Sequence, residues 1–131
     1  MSKISWRESL GWTEDHLEEL RFAGFAYIRQ GKYDIAMPIF EALCVLDPES
    51  AYDAQTLGAI YLQLGHPNKA LKYFDRALKI DADHAPTLLN LAKAFFMMGK
   101  KDEGLKLAMI LKDEPEPVIA NAAKALILAY S

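Results

Sequence analysis

The chain has 131 residues, of which 52% are hydrophobic and 25% are charged, and its formal net charge is -3. This composition is typical of a packed globular chain and excludes a wholly disordered one. The acidic balance gives no electrostatic reason to expect nucleic acid or an anionic membrane as a partner.

The beginning of the chain has no apolar run of the length that a signal peptide needs, and no window approaches roughly 18 uninterrupted apolar residues. The single cysteine, Cys44, excludes a disulfide within the chain and leaves no cysteine cluster for zinc. These features favour a soluble protein of a reducing, intracellular compartment, without membrane insertion.

Residues 1–16 form a leader ahead of the repetitive part of the chain. The segment Ser5–Glu8 has the spacing of a capping box, which predicts a short helical turn that ends at Gly11. Thr13 is then placed to cap the first long helix.

An acidic run opens this first long helix. Its members are Glu14, Asp15, Glu18 and Glu19. Two interpretations remain open: a solvated face that suits the dipole at a helix N-terminus, or a surface that attracts a basic partner.

Three consecutive units, 17–50, 51–84 and 85–118, repeat with a period of 34 residues. The positions that recur include Gly31, Gly65 and Gly99; Tyr27, Tyr61 and Phe95; Gly24, Gly58 and Ala92; and Ala36, Ala70 and Gly104. So many positional classes on one period indicate a true repeat architecture.

Each unit has the pattern of two helices joined by a turn. In the middle unit, apolar and small residues recur at i, i+3, i+4 and i+7 on either side of the turn Gly65–Asn68. Small residues of the two helices, such as Gly58 and Ala70, are expected to face each other and allow a close approach. A single hairpin cannot bury its apolar face, so the units must stack. The segment Asp113–Pro117 should break the last repeat helix, and residues 117–131 then form a terminal helix that covers the third unit.

The 34-residue pattern resembles the tetratricopeptide repeat. In the middle unit the consensus positions of that family are held by Leu57, Gly58, Tyr61, Gly65, Ala70, Phe74 and Ala77. The resemblance implies an all-α superhelix of three helix-turn-helix units plus a C-terminal capping helix, in a single domain. The third unit departs from the consensus, with Gly104, Ala108 and Leu111 at positions where alanine, an aromatic and a small residue are expected.

In this family the first helix of every unit lines the concave surface. Carried over position by position, the resemblance implies a client-binding groove formed by Arg21, Phe25, Ile28, Tyr52, Gln55, Ala59, Leu62, Leu89, Lys93, Phe96 and Met97. Because other residues fill the core positions of the repeat, stacking is not expected to use these side chains, and the groove should accept an extended or partly helical apolar segment. For Phe96 and Met97, extra packing against the terminal helix is the alternative. Phe25 stands where carboxylate-clamp relatives carry asparagine, which argues against a carboxylate clamp.

The first half of the chain resembles the SycD/LcrH class of type III secretion chaperones. The matching residues, in order, are Gly31-Lys32-Tyr33, Ala36, Phe40, Leu43-Cys44 and Leu46-Asp47. The resemblance implies a cytoplasmic chaperone without enzymatic activity or cofactor, which keeps a hydrophobic translocator soluble and ready for export. The alternatives are a needle-subunit chaperone of the same systems and a scaffold or assembly adaptor that docks a folded partner. A homodimer, or a heterodimer with a co-chaperone, is compatible with the resemblance.

The sequence has no recognisable catalytic or metal-binding motif. His16, His66 and His84 lie at least 18 residues apart and are interpreted as solvated turn residues. Cys44 is interpreted as a buried small hydrophobic residue. We therefore expect no enzyme, no cofactor and no metal site.

Overall fold

The computed structural model describes residues 5–131, so residues 1–4 of the predicted leader lie outside the described residues. Within this range the chain forms eight α-helices and no β-strand, which confirms the all-α prediction. The helices are α1 (Trp6–Ser9), α2 (Glu14–Arg29), α3 (Tyr33–Leu46), α4 (Ala51–Gln63), α5 (Pro67–Ile80), α6 (Ala85–Met97), α7 (Lys101–Leu111) and α8 (Pro117–Tyr130).

The helices pair in chain order as antiparallel hairpins. Helix α2 packs on α3, α4 on α5, and α6 on α7, while α3 also packs on α4 and α5 on α6. The hairpins therefore stack one on the next, and α8 closes the stack by packing on α7 and α6.

The recurring glycines end the first helix of each pair. Gly31, Gly65 and Gly99 have φ angles of 73°, 81° and 78°, a left-handed conformation that glycine adopts without steric cost. After Gly31, the Lys32 amide donates a hydrogen bond of 2.9 Å to the Tyr27 carbonyl, as in a Schellman motif. The same hydrogen bond recurs after Gly65 and Gly99. The glycines that repeat every 34 residues therefore mark the end of the first helix in each unit.

The glycines inside the helices have a different role from the predicted one. The closest contacts of a Cβ atom at Gly58 would be with the Phe74 ring, at 2.5 Å, and not with an alanine of the facing helix. A Cβ atom at Gly24 would likewise lie 2.6 Å from the Phe40 ring. In each of these pairs the glycine makes room for a fully buried phenylalanine of the second helix.

In the third hairpin the glycine and the phenylalanine have exchanged helices. Here Ala108 occupies the position of the phenylalanines, and the glycine, Gly104, lies on the second helix. A Cβ atom at Gly104 would lie 2.8 Å from the ring of Phe96, which comes from the first helix. The departure of this unit from the consensus is therefore a repacking around Phe96.

The ends of the chain agree with the predicted elements. Ser5 caps α1 by accepting a hydrogen bond of 3.2 Å from the Glu8 amide, and the turn ends at Gly11. Thr13 is the N-cap of α2, where the His16 ring accepts a hydrogen bond of 2.9 Å from the Thr13 amide.

Of the helices described, none combines the length and the apolar character needed to cross a membrane.

Candidate functional site

Three adjoining hollows run along the first helices of the hairpins. The first, of about 890 Å³, is lined by Glu18, Glu19, Arg21, Phe22, Phe25, Asp47, Ser50 and Tyr52. The second, of about 220 Å³, is lined by Phe25, Ile28, Tyr33, Tyr52, Gln55, Thr56, Ala59, Ile60 and Gln63. The third, of about 230 Å³, is lined by Ala59, Leu62, Gln63, Asn90, Lys93 and Met97. Because neighbouring hollows share residues, the three form one continuous surface, which we call the groove.

Nine of the eleven side chains predicted to form a groove line these hollows. They are Arg21, Phe25, Ile28, Tyr52, Gln55, Ala59, Leu62, Lys93 and Met97. The other two, Leu89 and Phe96, pack elsewhere.

The expectation that stacking leaves these side chains unused is wrong for four of them. Gln55, Leu62, Leu89 and Phe96 are only 7–8% exposed. Leu62 belongs to the core cluster around Phe74, although one side of it still contributes to the third hollow. Leu89 lies in a cluster with Leu111 that α8 completes, so burial against the terminal helix explains its position.

Of the two residues of the Phe96-Met97 pair, only Phe96 follows the alternative of packing against the terminal helix, and the use of Met97 in binding stays a prediction. Phe96 packs against the terminal helix: its ring stacks on that of Tyr130, with the centroids 4.0 Å apart and the planes within 6°. It also fills the space beside Gly104, where the third unit lacks the usual phenylalanine. Met97 remains 48% exposed and lines the third hollow.

The centre of the groove is aromatic. The centroid of the Phe25 ring lies 5.3 Å from the ring centroid of the buried Phe40 and 5.6 Å from that of Tyr52. Tyr52 is 45% exposed, and burial of the rest of its side chain, together with the nearby charge of Asp53, raises the pKa of its hydroxyl. A half-buried aromatic floor of this kind offers apolar contact area to a ligand and is itself held by the core.

Arg21 is held by ion pairs within the chain. Its guanidinium donates hydrogen bonds of 2.8 and 2.7 Å to the two carboxylate oxygens of Asp53, and further bonds of 2.6 Å to Asp47 and 2.7 Å to Glu18. Asp53 is fully buried in the first turn of α4, where the Ser50 hydroxyl accepts a hydrogen bond from its amide. The hydrogen bond with Asp53 is the main reason why the pKa of Arg21 is raised.

These bonds give Arg21 a structural role that differs from the predicted one. The guanidinium joins α2 to α4 and to the turn before α4, and only 12% of the side chain is exposed. Its charge is thus engaged by carboxylates of the chain itself. A side chain in this state supports the wall of the groove and is not available to bind the carboxylate of a ligand.

The predicted groove left out five residues that line the first hollow: Glu18, Glu19, Phe22, Asp47 and Ser50. Phe22 is 71% exposed, and Glu19 lines the same hollow beside it. A signal for Phe22 was present, because the equivalent positions in the next two units hold polar residues, Thr56 and Asn90. An aromatic residue at a position that is otherwise polar in the repeat indicates a role outside the core.

Histidine, cysteine and acidic side chains do not come together as a metal site in the described part of the chain. No group of three or more histidine, cysteine or acidic side chains in residues 5–131 could hold a metal ion. Cys44 is buried, as predicted, and burial raises the pKa of its thiol to about 11. Of the histidines, His16 accepts a hydrogen bond from the N-cap residue of α2, and His84 is the N-cap residue of α6, where its ring contacts the Thr87 hydroxyl at 2.7 Å.

Stacked helical hairpins with a 34-residue period and a groove along their first helices define a tetratricopeptide-repeat protein. The model of the family described as "Anaphase-promoting complex, cyclosome, subunit 3" matches residues 29–108, and the chain belongs to this family.

Sequence relatives include both long and short proteins. Low calcium response locus protein H of Yersinia pseudotuberculosis is 30% identical over 108 residues, which cover 79% of this chain and 64% of that protein. Superkiller complex protein 3 of Mus musculus is 30% identical over 77 residues, 59% of this chain and 5% of that protein. Anaphase-promoting complex subunit 3 of Schizosaccharomyces pombe is 26% identical over 117 residues, 86% of this chain and 18% of that protein. The chain thus spans less than two thirds of each of these relatives.

Solved structures match the fold over almost its whole length. The type III secretion translocator chaperone SycD of Yersinia enterocolitica superposes with a TM-score of 0.84 at 23% identity, covering 98% of this chain and 99% of that one. PcrH, solved in complex with the chaperone binding region of PopD, superposes with a TM-score of 0.80 at 29% identity, covering 92% and 94%. The resemblance to the SycD/LcrH class is therefore confirmed.

Proposed function

We propose that this chain is a type III secretion chaperone that binds a hydrophobic segment of a translocator in its groove and keeps that protein soluble and ready for export. It acts in the cytoplasm, by binding alone, without a cofactor. The observation that carries the proposal is the continuous groove with its aromatic floor. It lies on a fold that matches PcrH, which is 29% identical and was solved with the chaperone binding region of PopD.

The physical basis is the shielding of apolar surface from water. A segment destined for a membrane aggregates in water because its apolar side chains have no partners, and the hydrophobic effect contributes about 25 cal/mol for each Å² that is covered. Phe25 and Tyr52 can cover apolar side chains of the segment without rearrangement, since contacts with the core hold both rings in place. A groove formed before binding lowers the entropic cost of binding.

The shape of the groove favours a short segment as its ligand. The three hollows follow one another along α2, α4 and α6, so an extended or partly helical peptide can place successive side chains in successive hollows.

Co-expression with the translocators of the organism that carries this chain tests the proposal. A translocator should be insoluble when expressed alone and soluble when expressed together with the wild-type chain. The structure supplies a matched pair of variants for this test: Met97 is 48% exposed in the third hollow, and Met109 is 47% exposed on α7, away from the three hollows.

We expect Met97→Glu to reduce the recovery of soluble translocator severalfold and Met109→Glu to leave it unchanged. Both variants should keep the wild-type melting temperature within a few degrees, since both side chains are half exposed. Charge substitutions at Leu62 or Phe96 are unsuitable, because both residues are buried and the variants would unfold. Equal recovery with the two methionine variants would contradict the proposed use of the groove.

A scaffold that docks a folded partner is the second candidate. The observation in its favour is the exposure of apolar side chains outside the groove: Val118 and Leu128 on α8 are 71% and 83% exposed, and Ile110 on α7 is 66% exposed. A partner of such a scaffold would be soluble with or without this chain, and Leu128→Glu would weaken its binding more than Met97→Glu.

A further inference from the structure

The charge of the groove changes sign along its length. The first hollow is lined by three carboxylates, those of Glu18, Glu19 and Asp47, against one guanidinium, that of Arg21. The residues that line the middle hollow include no charged side chain, and those of the third hollow include one, Lys93. The negative end thus lies between α2 and the start of α4, and the positive end lies on α6.

The carboxylates of the first hollow are not neutralised by Arg21. That guanidinium is bonded bidentately to the buried Asp53, which alone balances its charge. Asp47 and Glu18 also accept hydrogen bonds from Arg21, but their negative charges remain in excess at the rim of the hollow. Glu19 stands on the same rim and adds to this charge.

Aromatic rings form the walls beside these carboxylates. Phe22, Phe25 and Tyr52 line the same hollow, and Phe22 is 71% exposed. Aromatic faces attract a cation through their quadrupole and also accept the methylene stem of a lysine or arginine. A hollow that combines aromatic walls with a carboxylate rim thus suits both parts of a long basic side chain.

We propose that the first hollow binds a lysine or arginine of the client segment, next to the apolar residues that occupy the rest of the groove. The stem packs on Phe22 and Tyr52, and the cationic group pairs with Glu18 and Glu19. Lys93 repels a cation at the opposite end of the groove, in the third hollow. The ion pair in the first hollow therefore also fixes the direction and register of the bound segment. The inference rests on the proposed function, because it assigns a specificity to the same groove.

A displayed library of random dodecapeptides tests this specificity without a known client. Selection is carried out on three forms of the full chain: the wild type, Glu18→Gln/Glu19→Gln, and Glu41→Gln/Glu103→Gln. Glu41 and Glu103 are exposed on α3 and α7 and do not line the three hollows. The two double variants change the net charge equally, so that a general attraction of basic peptides affects both alike.

Wild type and control should select apolar peptides enriched in lysine or arginine, and the groove variant should select apolar peptides without this enrichment. For a selected peptide, we expect Glu19→Gln alone to weaken binding about two- to fivefold, the effect of one partly exposed ion pair. This single variant keeps the bond between Glu18 and Arg21, so that a loss of folding does not explain its result.

Two outcomes would overturn the inference and are distinguishable. Apolar peptides without basic enrichment on the wild type would reject the basic-residue site and leave the proposed function standing. No enrichment of any apolar peptide on the wild type would reject both the site and the groove that it belongs to.

Discussion

Arg21 and Asp53 show how a single ion pair holds two units of the stack together. Asp53 is fully buried at the start of α4, and its two carboxylate oxygens accept hydrogen bonds from a side chain on α2. A buried charge without its partner is much more costly than a buried pair. The bond therefore fixes the relative position of α2 and α4, the two helices that form the first hollow.

Removal of one partner should destabilise the chain strongly. We expect Arg21→Met to lower the free energy of unfolding by about 3–5 kcal/mol, because it leaves the Asp53 carboxylate buried and unpaired. Urea denaturation followed by circular dichroism measures the change. Arg29→Met, at an exposed position of the same helix, should change the stability by less than about 0.5 kcal/mol.

The double variant Arg21→Met/Asp53→Leu provides the second half of this test. It removes both charges from the buried site, so it should recover most of the stability that Arg21→Met loses. An Arg21→Met variant as stable as the wild type would show that the guanidinium does not hold α2 against α4.

Cys44 allows a prediction about pH. Burial raises the pKa of its thiol from the ordinary value of 9.0 to about 11. The thiol of the unfolded chain thus ionises at a lower pH than that of the folded chain, and stability falls as the pH rises from about 9 to about 11.

Alkylation by iodoacetamide measures the protection of this thiol, since only the thiolate reacts. In the folded chain the rate should stay low up to about pH 10, whereas the chain unfolded in urea should react as an ordinary thiol already at about pH 8.5. Rapid alkylation of the folded chain at pH 8 would contradict the burial of Cys44.

Within each helix hairpin, the main packing feature is a glycine that accepts a phenylalanine ring. In the second hairpin the ring of Phe74 is fully buried and occupies the space where a side chain at Gly58 would lie. Protein interiors are close-packed, so the ring has no free volume into which it could move.

The variant Gly58→Ala tests this contact, because two effects oppose each other. Alanine favours the helix by about 1 kcal/mol relative to glycine. The added methyl group would lie 2.5 Å from the ring, and overpacking of this kind costs about 1–3 kcal/mol. We expect a net loss of stability in urea denaturation, and a partial recovery in Gly58→Ala/Phe74→Leu. A gain in stability from Gly58→Ala would show that the ring yields at little cost.

The helices were predictable because local signals and the repeat agree. Gly31, Gly65 and Gly99 mark helix ends, Thr13 marks a helix start, and the segment Asp113–Pro117 marks the break before α8. Each of these signals acts through the backbone of its own neighbourhood and does not depend on distant contacts.

The exposure of the groove residues was less predictable, because it depends on distant partners. Phe96 is buried since Ala108 leaves space on the facing helix and Tyr130 arrives from α8. Arg21 is engaged by carboxylates 26 and 32 residues away in the chain. A pattern of positions inside one helix contains no information on such partners.

On the scale of the whole molecule, α8 takes the place of the first helix of a fourth unit. Ile28, Leu62, Phe96 and Tyr130 follow one another at intervals of 34 residues, and Tyr130 lies on α8. The helix packs on α6 and α7 as α6 packs on α4 and α5. This helix covers Leu89 and Leu111 of the third unit.

The groove is a property of the stack as a whole, since each of its hollows draws residues from two successive units. The proposed function therefore depends on the hairpins keeping their relative positions, which the ion pairs of Arg21 and the buried phenylalanines secure.

Site-specific photo-crosslinking to a co-expressed translocator tests the groove most directly. Benzoylphenylalanine is placed at Tyr52 or Met97 in the groove, and at Val45 or Met109 outside the three hollows; the four native side chains are 45–54% exposed. We predict that the translocator is crosslinked from the two groove positions and not from the two others. Crosslinks from Val45 and Met109, with none from Tyr52 and Met97, would contradict the account.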